Sequence, residues 1–199
     1  MAQIDLKEIQ RKAYTSYPQD GLLDIFASTY IVAFSVGILM DYLYDFSMGT
    51  ILPVFLIPII IPLWVAAKRK ITMPRIGYVN FGQRAKPKLA ALFGGVAGLG
   101  FAFLFVFVFA KSSPWFTFVA QNSMLLLGVA VLLVLSLAGY TMGIKRFYAY
   151  GLLSFALLVA GHYLEIFFAY ILLALSITVM ATGFALLVHF IKKYPIKGD

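Results

Sequence analysis

An all-α, polytopic transmembrane helical bundle of about six spans is the fold class this sequence predicts, on three observations. The chain has 199 residues, 62% hydrophobic and only 12% charged, where a soluble domain carries about 25% charged residues, and its mean hydropathy is +0.93. Its apolar residues gather in runs long enough to cross a bilayer. Its basic residues gather between alternate runs. This composition excludes an ordinary soluble enzyme and a disordered chain, and the absence of cysteine excludes a disulfide scaffold, thiol redox chemistry and a thiolate metal site.

The first element is amphipathic. At helical spacing Ala2, Leu6, Ile9, Ala13 and Tyr17 share one stripe, with Lys7, Glu8, Arg11 and Lys12 opposite, and Pro18 stops the helix. Residues 1–20 therefore read as a helix that either lies in the cytoplasmic interface, held by apolar insertion and attraction to anionic lipid, or folds under the bundle as a cap. Asp20 and Asp24 then open the first span, where carboxylates cap free amides and favour the helix dipole. Spans follow near 21–43, 48–67, 88–110, 122–144, 147–164 and 167–190, forming a transmembrane region over 21–190 that ends in a basic tail, 191–199. The first run lacks a small-residue cleavage site and reads as an uncleaved helix. The fifth and sixth spans are parted only by a turn marked by His162 and Glu165; without it, 147–190 would form one helix far longer than a bilayer requires.

Several spans carry special residues. Pro53, Pro58 and Pro62 predict a bend or a break in the second, and a simple kink is favoured over a transport path because neighbouring groups re-satisfy the backbone. In the third, Phe101, Phe103, Phe105, Phe107 and Phe109 alternate with Ala102, Leu104, Val106 and Val108, which leaves no polar lumen face and excludes a barrel. Gly94 with Gly98, and Gly139 with Gly143, are small-residue pairs that suit packing within the chain first and a homo-oligomer seam second. Ser113 and Pro114 mark a helix start, with Trp115 and Phe116 as interfacial anchors.

Orientation follows from the cations. Lys7, Arg11 and Lys12, the loop 68–88, Lys145 with Arg146, and Lys192, Lys193 and Lys197 all fall on one side if the chain crosses six times, and only Lys111 falls opposite. Cytoplasmic loops collect Lys and Arg, so both termini are expected in the cytosol and the protein in the plasma or inner cell membrane. The net charge of +8 is then accounted for by topology and calls for no nucleic acid. His189, beside Lys192 and Lys193, reads as interfacial.

Two groups of residues are candidates for a site. His162 and Glu165, three apart and so on one helical face near its outer end, could converge with Asp41 and Asp45 to bind an ion or pass a proton. The competing reading makes them interfacial polar groups that mark where helices leave the bilayer, and it is the better supported. On the cytoplasmic side, the loop 68–88 holds seven basic residues and no acid, so Lys68, Arg69, Lys70, Arg75 and Arg84 are candidates to contact anionic lipid headgroups or a partner's carboxylates. Within it, 74–82 reads as extended and turn-bounded. The stretch Thr72-Met73-Pro74-Arg75-Ile76-Gly77-Tyr78-Val79 resembles a loop of uncharacterised prokaryotic polytopic membrane proteins. That resemblance implies a membrane protein and no activity.

No zinc-protease, nucleophile-elbow or phosphate-loop motif occurs, and paired carboxylates are missing from within the spans. An enzyme is the least supported class, and no cofactor is expected. Two readings remain: a non-catalytic scaffold, regulator or subunit working through helix surfaces and a basic cytoplasmic face, and a small oligomeric transporter or channel using the proline-rich second span and the His162, Glu165 and Asp41 region. Few polar groups are available to line a path through the midplane, which favours the first.

Overall fold

The computed structural model describes residues 17–45, 49, 51–76 and 114–195. The amphipathic segment before Tyr17, the third span with Gly94 and Gly98, Arg84 and the rest of the basic loop past Ile76 lie outside the described residues. All regular structure among the described residues is helical. A 3-10 turn, Tyr17–Asp20, leads into α1, Leu22–Tyr44. Next comes α2, Leu52–Ala67, which runs through a π-helical turn, Lys68–Thr72, into the short α3, Met73–Ile76. Beyond the undescribed stretch stand α4, Pro114–Gln121, α5, Ser123–Met142, α6, Arg146–Tyr163, and α7, Phe168–Lys193.

Three of these helices, α1, α5 and α7, are long and apolar enough to cross a membrane. On α1 and α5 the surfaces are arranged inside out relative to a water-soluble bundle, whereas α7 buries Ile171, Leu175, Val179 and Phe190. On α1 the buried positions include Asp24, Ser28, Ser35 and Gly37, whereas Val36, Met40 and Leu43 are exposed. On α5 the buried residues are Gly128, Ala138 and Gly139, while Leu126, Val129, Leu133 and Leu137 face outward. In water such continuous apolar surface would be a liability. Hydrocarbon removes that cost, and helix association then depends on small residues that let backbones approach.

The chain divides into two compact units, residues 1–80 with 172–199, and residues 81–171. In the first, α1 and α2 form a hairpin. The inner stripe of α2 comprises Pro53, Leu56, Ile60, Trp64 and Lys68, with Val54, Phe55, Ile57, Ile59, Ile61 and Leu63 exposed. The helix is unbroken across Pro58 and Pro62; the break allowed by the sequence is absent, and the one irregularity comes later, at the π turn. The C-terminal half of α7 packs on the start of α1. A Cβ placed on Gly21 would lie 2.2 Å from the Gly183 carbonyl oxygen, and one on Gly183 would lie 2.9 Å from Ile25 Cγ1. Gly21 also has φ 74°, so this seat requires glycine twice over.

In the second unit, α5 and α6 form a hairpin joined by a three-residue turn, 143–145. Gly128 sits against Phe155 and Leu158, Gly151 against Leu132, and Gly139 against Tyr148. Both helices end in the same way. After α5, Gly143 adopts φ 69° and Ile144 N–H bonds Gly139 O at 3.0 Å; after α6, Glu165 adopts φ 54° and Ile166 N–H bonds Gly161 O at 2.9 Å. These are Schellman stops, each with one left-handed residue. Gly139 therefore serves packing within the chain, and Gly143 ends the helix rather than continuing a seam.

Candidate functional site

The most developed polar constellation lies where the first turn of α1 meets the π turn. Asp20 Oδ1 accepts the Leu22 backbone N–H at 3.2 Å, the cap its place before α1 predicts. Its Oδ2 accepts from Lys68 Nζ and from Thr72 Oγ1, both at 2.5 Å. Asp20, Lys68 and Thr72 are 0%, 2% and 1% exposed, and Asp24, one turn along, is 2% exposed. Lys68 Nζ also stands 5.8 Å from the centroid of the Trp64 ring, a cation–π contact along its own helix. Two ionised groups removed from water carry a desolvation cost that only close pairing and further hydrogen bonds offset. Leu22 N–H and Thr72 Oγ1 supply those bonds.

This placement corrects two expectations. Lys68 is not on a headgroup-facing surface: its ammonium is committed to Asp20 inside the protein. The segment after residue 68 does not begin as an extended loop either. Helix continues through Ile76, so Pro74 and Arg75, expected in extended chain, are helical, and Arg75 Nη1 donates to Ile71 O at 2.8 Å. The physical reason is shared. Once Asp20 receives the Lys68 charge, the helix need not end at its first cation. Arg69 and Lys70 are exposed, as headgroup contact requires, and Arg75 is half-buried.

The outer-side residues His162 and Glu165 are not placed as their spacing predicts. Glu165 is outside α6, exposed, in the left-handed turn that ends the helix, so it does not share a helical face with His162. His162 is half-buried with its ring edge-on to Tyr163, centroids 5.4 Å apart. Asp45 ends α1 with φ 51° and is exposed. Asp41 has a structural partner: its Oδ1 accepts the Gly49 N–H at 2.6 Å, which ties the end of α1 to the turn before α2. A Cβ on Gly49 would meet Gly37 O at 2.3 Å and Asp41 Oδ1 at 2.6 Å. Among the described residues no group of three or more His, Asp or Glu side chains is spaced to hold a metal ion.

Three other buried hydroxyls bond backbone carbonyls of their own helices. Ser28 Oγ donates to Ile25 O, Ser154 Oγ to Tyr150 O and Ser176 Oγ to Leu173 O, at 2.9, 2.6 and 2.8 Å. Sequence reading missed the partnership of Asp20 with Lys68 and Thr72. A usable signal was present: an acid opening one span and a lysine closing the next lie at the same depth in an up-and-down hairpin. Comparison of the chain with protein-family models, with curated proteins and with solved structures finds no match.

Proposed function

We propose that this chain is a multi-pass protein of the cell membrane, crossing about six times with both termini in the cytosol, that acts without catalysis as a scaffold, regulator or subunit. Its working surfaces are the outward apolar helix faces and a basic cytoplasmic face. The observation that carries this reading is the way polar groups are used. Among the inward groups Asp20, Lys68 and Thr72 bond one another and Ser28, Ser154 and Ser176 bond their own helices, whereas Arg69, Lys70, Lys192 and Lys193 stand exposed.

Within the first unit those cations flank one end. Asp20 binds the π turn that carries Arg69 and Lys70, and Gly21 seats on Gly183, from which α7 runs on to Lys192 and Lys193. A shared end for the start of α1 and the finish of α7 supports placing both termini on one side. Anionic headgroups are the partner this face suits best, at about 1 kcal/mol per cation near the surface.

The test measures lipid preference in the intact protein. Purified wild type should retain anionic over zwitterionic lipid, and Arg69→Gln with Lys70→Gln should lose most of that preference. Equal retention of both lipid classes by wild type would remove the basic-face reading.

A second reading, ion or proton transport, is favoured by one observation: Asp24, Ser28 and Ser35 are buried within one narrow sector of α1. It requires flux in proteoliposomes for at least one ion of a broad panel. That flux must fall in Asp24→Asn, or in the Glu165→Gln, His162→Ala double variant if the outer residues take part.

A further inference from the structure

The helical rod from Leu52 to Ile76 is continuous, and its one irregular turn is the turn that carries both Lys68 and Thr72. Lys68 N–H still reaches the Trp64 and Val65 carbonyls, but Met73 N–H donates five residues back, to Lys68 O. A π turn of this kind holds one residue more than the α-helix on either side, is rare, and persists where local contacts support it. Here the support is visible. A long side chain and a short one, four residues apart, end on a single atom, Asp20 Oδ2. That convergence fixes the rotation of the rod at both edges of the turn at once.

Asp20 is itself held, by the Leu22 amide on its other oxygen and by the seat of Gly21 on Gly183. The anchor therefore belongs to a packed part of the molecule, and the π turn yields to it.

We propose that the Asp20 carboxylate is a register latch. While it binds Lys68 and Thr72 together, the rod keeps its π turn; when either bond is lost, Met73 N–H bonds Arg69 O, one residue nearer, and the rod becomes α-helical throughout. Residues 73–76 then turn by about 100° and advance by about 1.5 Å. Arg75 moves with it. In the latched state Arg75 spends Nη1 on Ile71 O, and its buried Nε has no hydrogen-bond acceptor, so the present register does not use this guanidinium fully. The latch decides the face of the rod on which Arg75 stands, and its use in lipid contact rests on the basic-face reading above.

The native chain has no cysteine, so single cysteines at 69–71 and 73–76, labelled with a water-soluble maleimide in native membranes, report which positions face water. Thr72→Val, which keeps the ion pair and the side-chain shape, should move the labelling maximum among 73–76 by one position and leave 69–71 unchanged. Asp20→Asn should produce the same shift, and Thr72→Ser should retain the wild-type pattern. An unchanged pattern in Thr72→Val overturns the latch. So does a shift that Thr72→Ser reproduces. Should Asp20→Asn fail to insert, the Thr72 pair decides the question alone. The readout is helix register, so it stands or falls apart from any lipid measurement.

Discussion

The two hairpins of this protein are fastened by different chemistry. The α1–α2 hairpin is tied at its two ends by carboxylates: Asp20 to Lys68 and Thr72 at one, Asp41 to the Gly49 amide at the other. The α5–α6 hairpin closes through Gly128, Gly139 and Gly151 against Phe155, Tyr148 and Leu132. In hydrocarbon neither pair gains from expelling water, so each must rely on hydrogen bonding or on close backbone approach. The difference teaches where each is vulnerable. Charge holds the first, and volume holds the second.

Substitutions in both hairpins test that contrast. The largest effect is expected at Lys68→Met, which leaves the Asp20 carboxylate buried without its cation and should cost about 3–5 kcal/mol in a reversible unfolding titration. Adding Asp20→Asn should recover most of that loss; a double variant as unstable as the single one would mean that packing, not charge, is at stake. Asp41→Ala removes a charge-assisted bond to the Gly49 amide and should cost about 1.5–3 kcal/mol by the same titration.

In the other hairpin, Gly151→Leu places bulk where a Cβ already meets Leu132 at 3.2 Å, and should cost about 1–3 kcal/mol. Gly151→Ala should cost distinctly less. The smallest effect is a gain. Glu165 occupies a left-handed position that glycine adopts freely, so Glu165→Gly should raise stability by less than about 1 kcal/mol. A loss on that substitution would show that the carboxylate makes a contact its exposed position does not suggest.

The helices themselves were legible where apolar runs are long and cleanly bounded. Helices stand where spans were expected near 21–43, 122–144, 147–164 and 167–190, as Leu22–Tyr44, Ser123–Met142, Arg146–Tyr163 and Phe168–Lys193, and all of these but Arg146–Tyr163 are long and apolar enough to cross a membrane. Pro114 opens α4, as a serine followed by proline predicts. The end of the second span was not legible. Lys68, Arg69 and Lys70 look like a boundary because three cations in a row resist burial, and only the three-dimensional approach of Asp20 makes the first of them an interior residue.

The shared helical face expected of His162 and Glu165 failed for a different reason. A spacing of three places His162 and Glu165 on one face only if the helix continues, and nothing in the identity of Glu165 announces a left-handed stop, which glycine or asparagine usually provides. Asp41 was placed correctly near the end of α1, but its role as a clamp depended on a glycine eight residues away. Asp20 was read correctly as a cap and incompletely as a site: local bonds follow from neighbours in sequence, and the partner 48 residues on does not.

The most direct test of the whole account is sidedness. Single cysteines replacing Lys70, Lys145, Lys193, Asp45 and Leu164 in the cysteine-free chain can be labelled from either face of sealed vesicles with an impermeant maleimide. The first three should react only from the cytosolic face, and the last two only from the opposite face. Reaction of positions 70 and 193 from opposite faces would contradict a common basic side and, with it, the assignment of the exposed cations to one working surface.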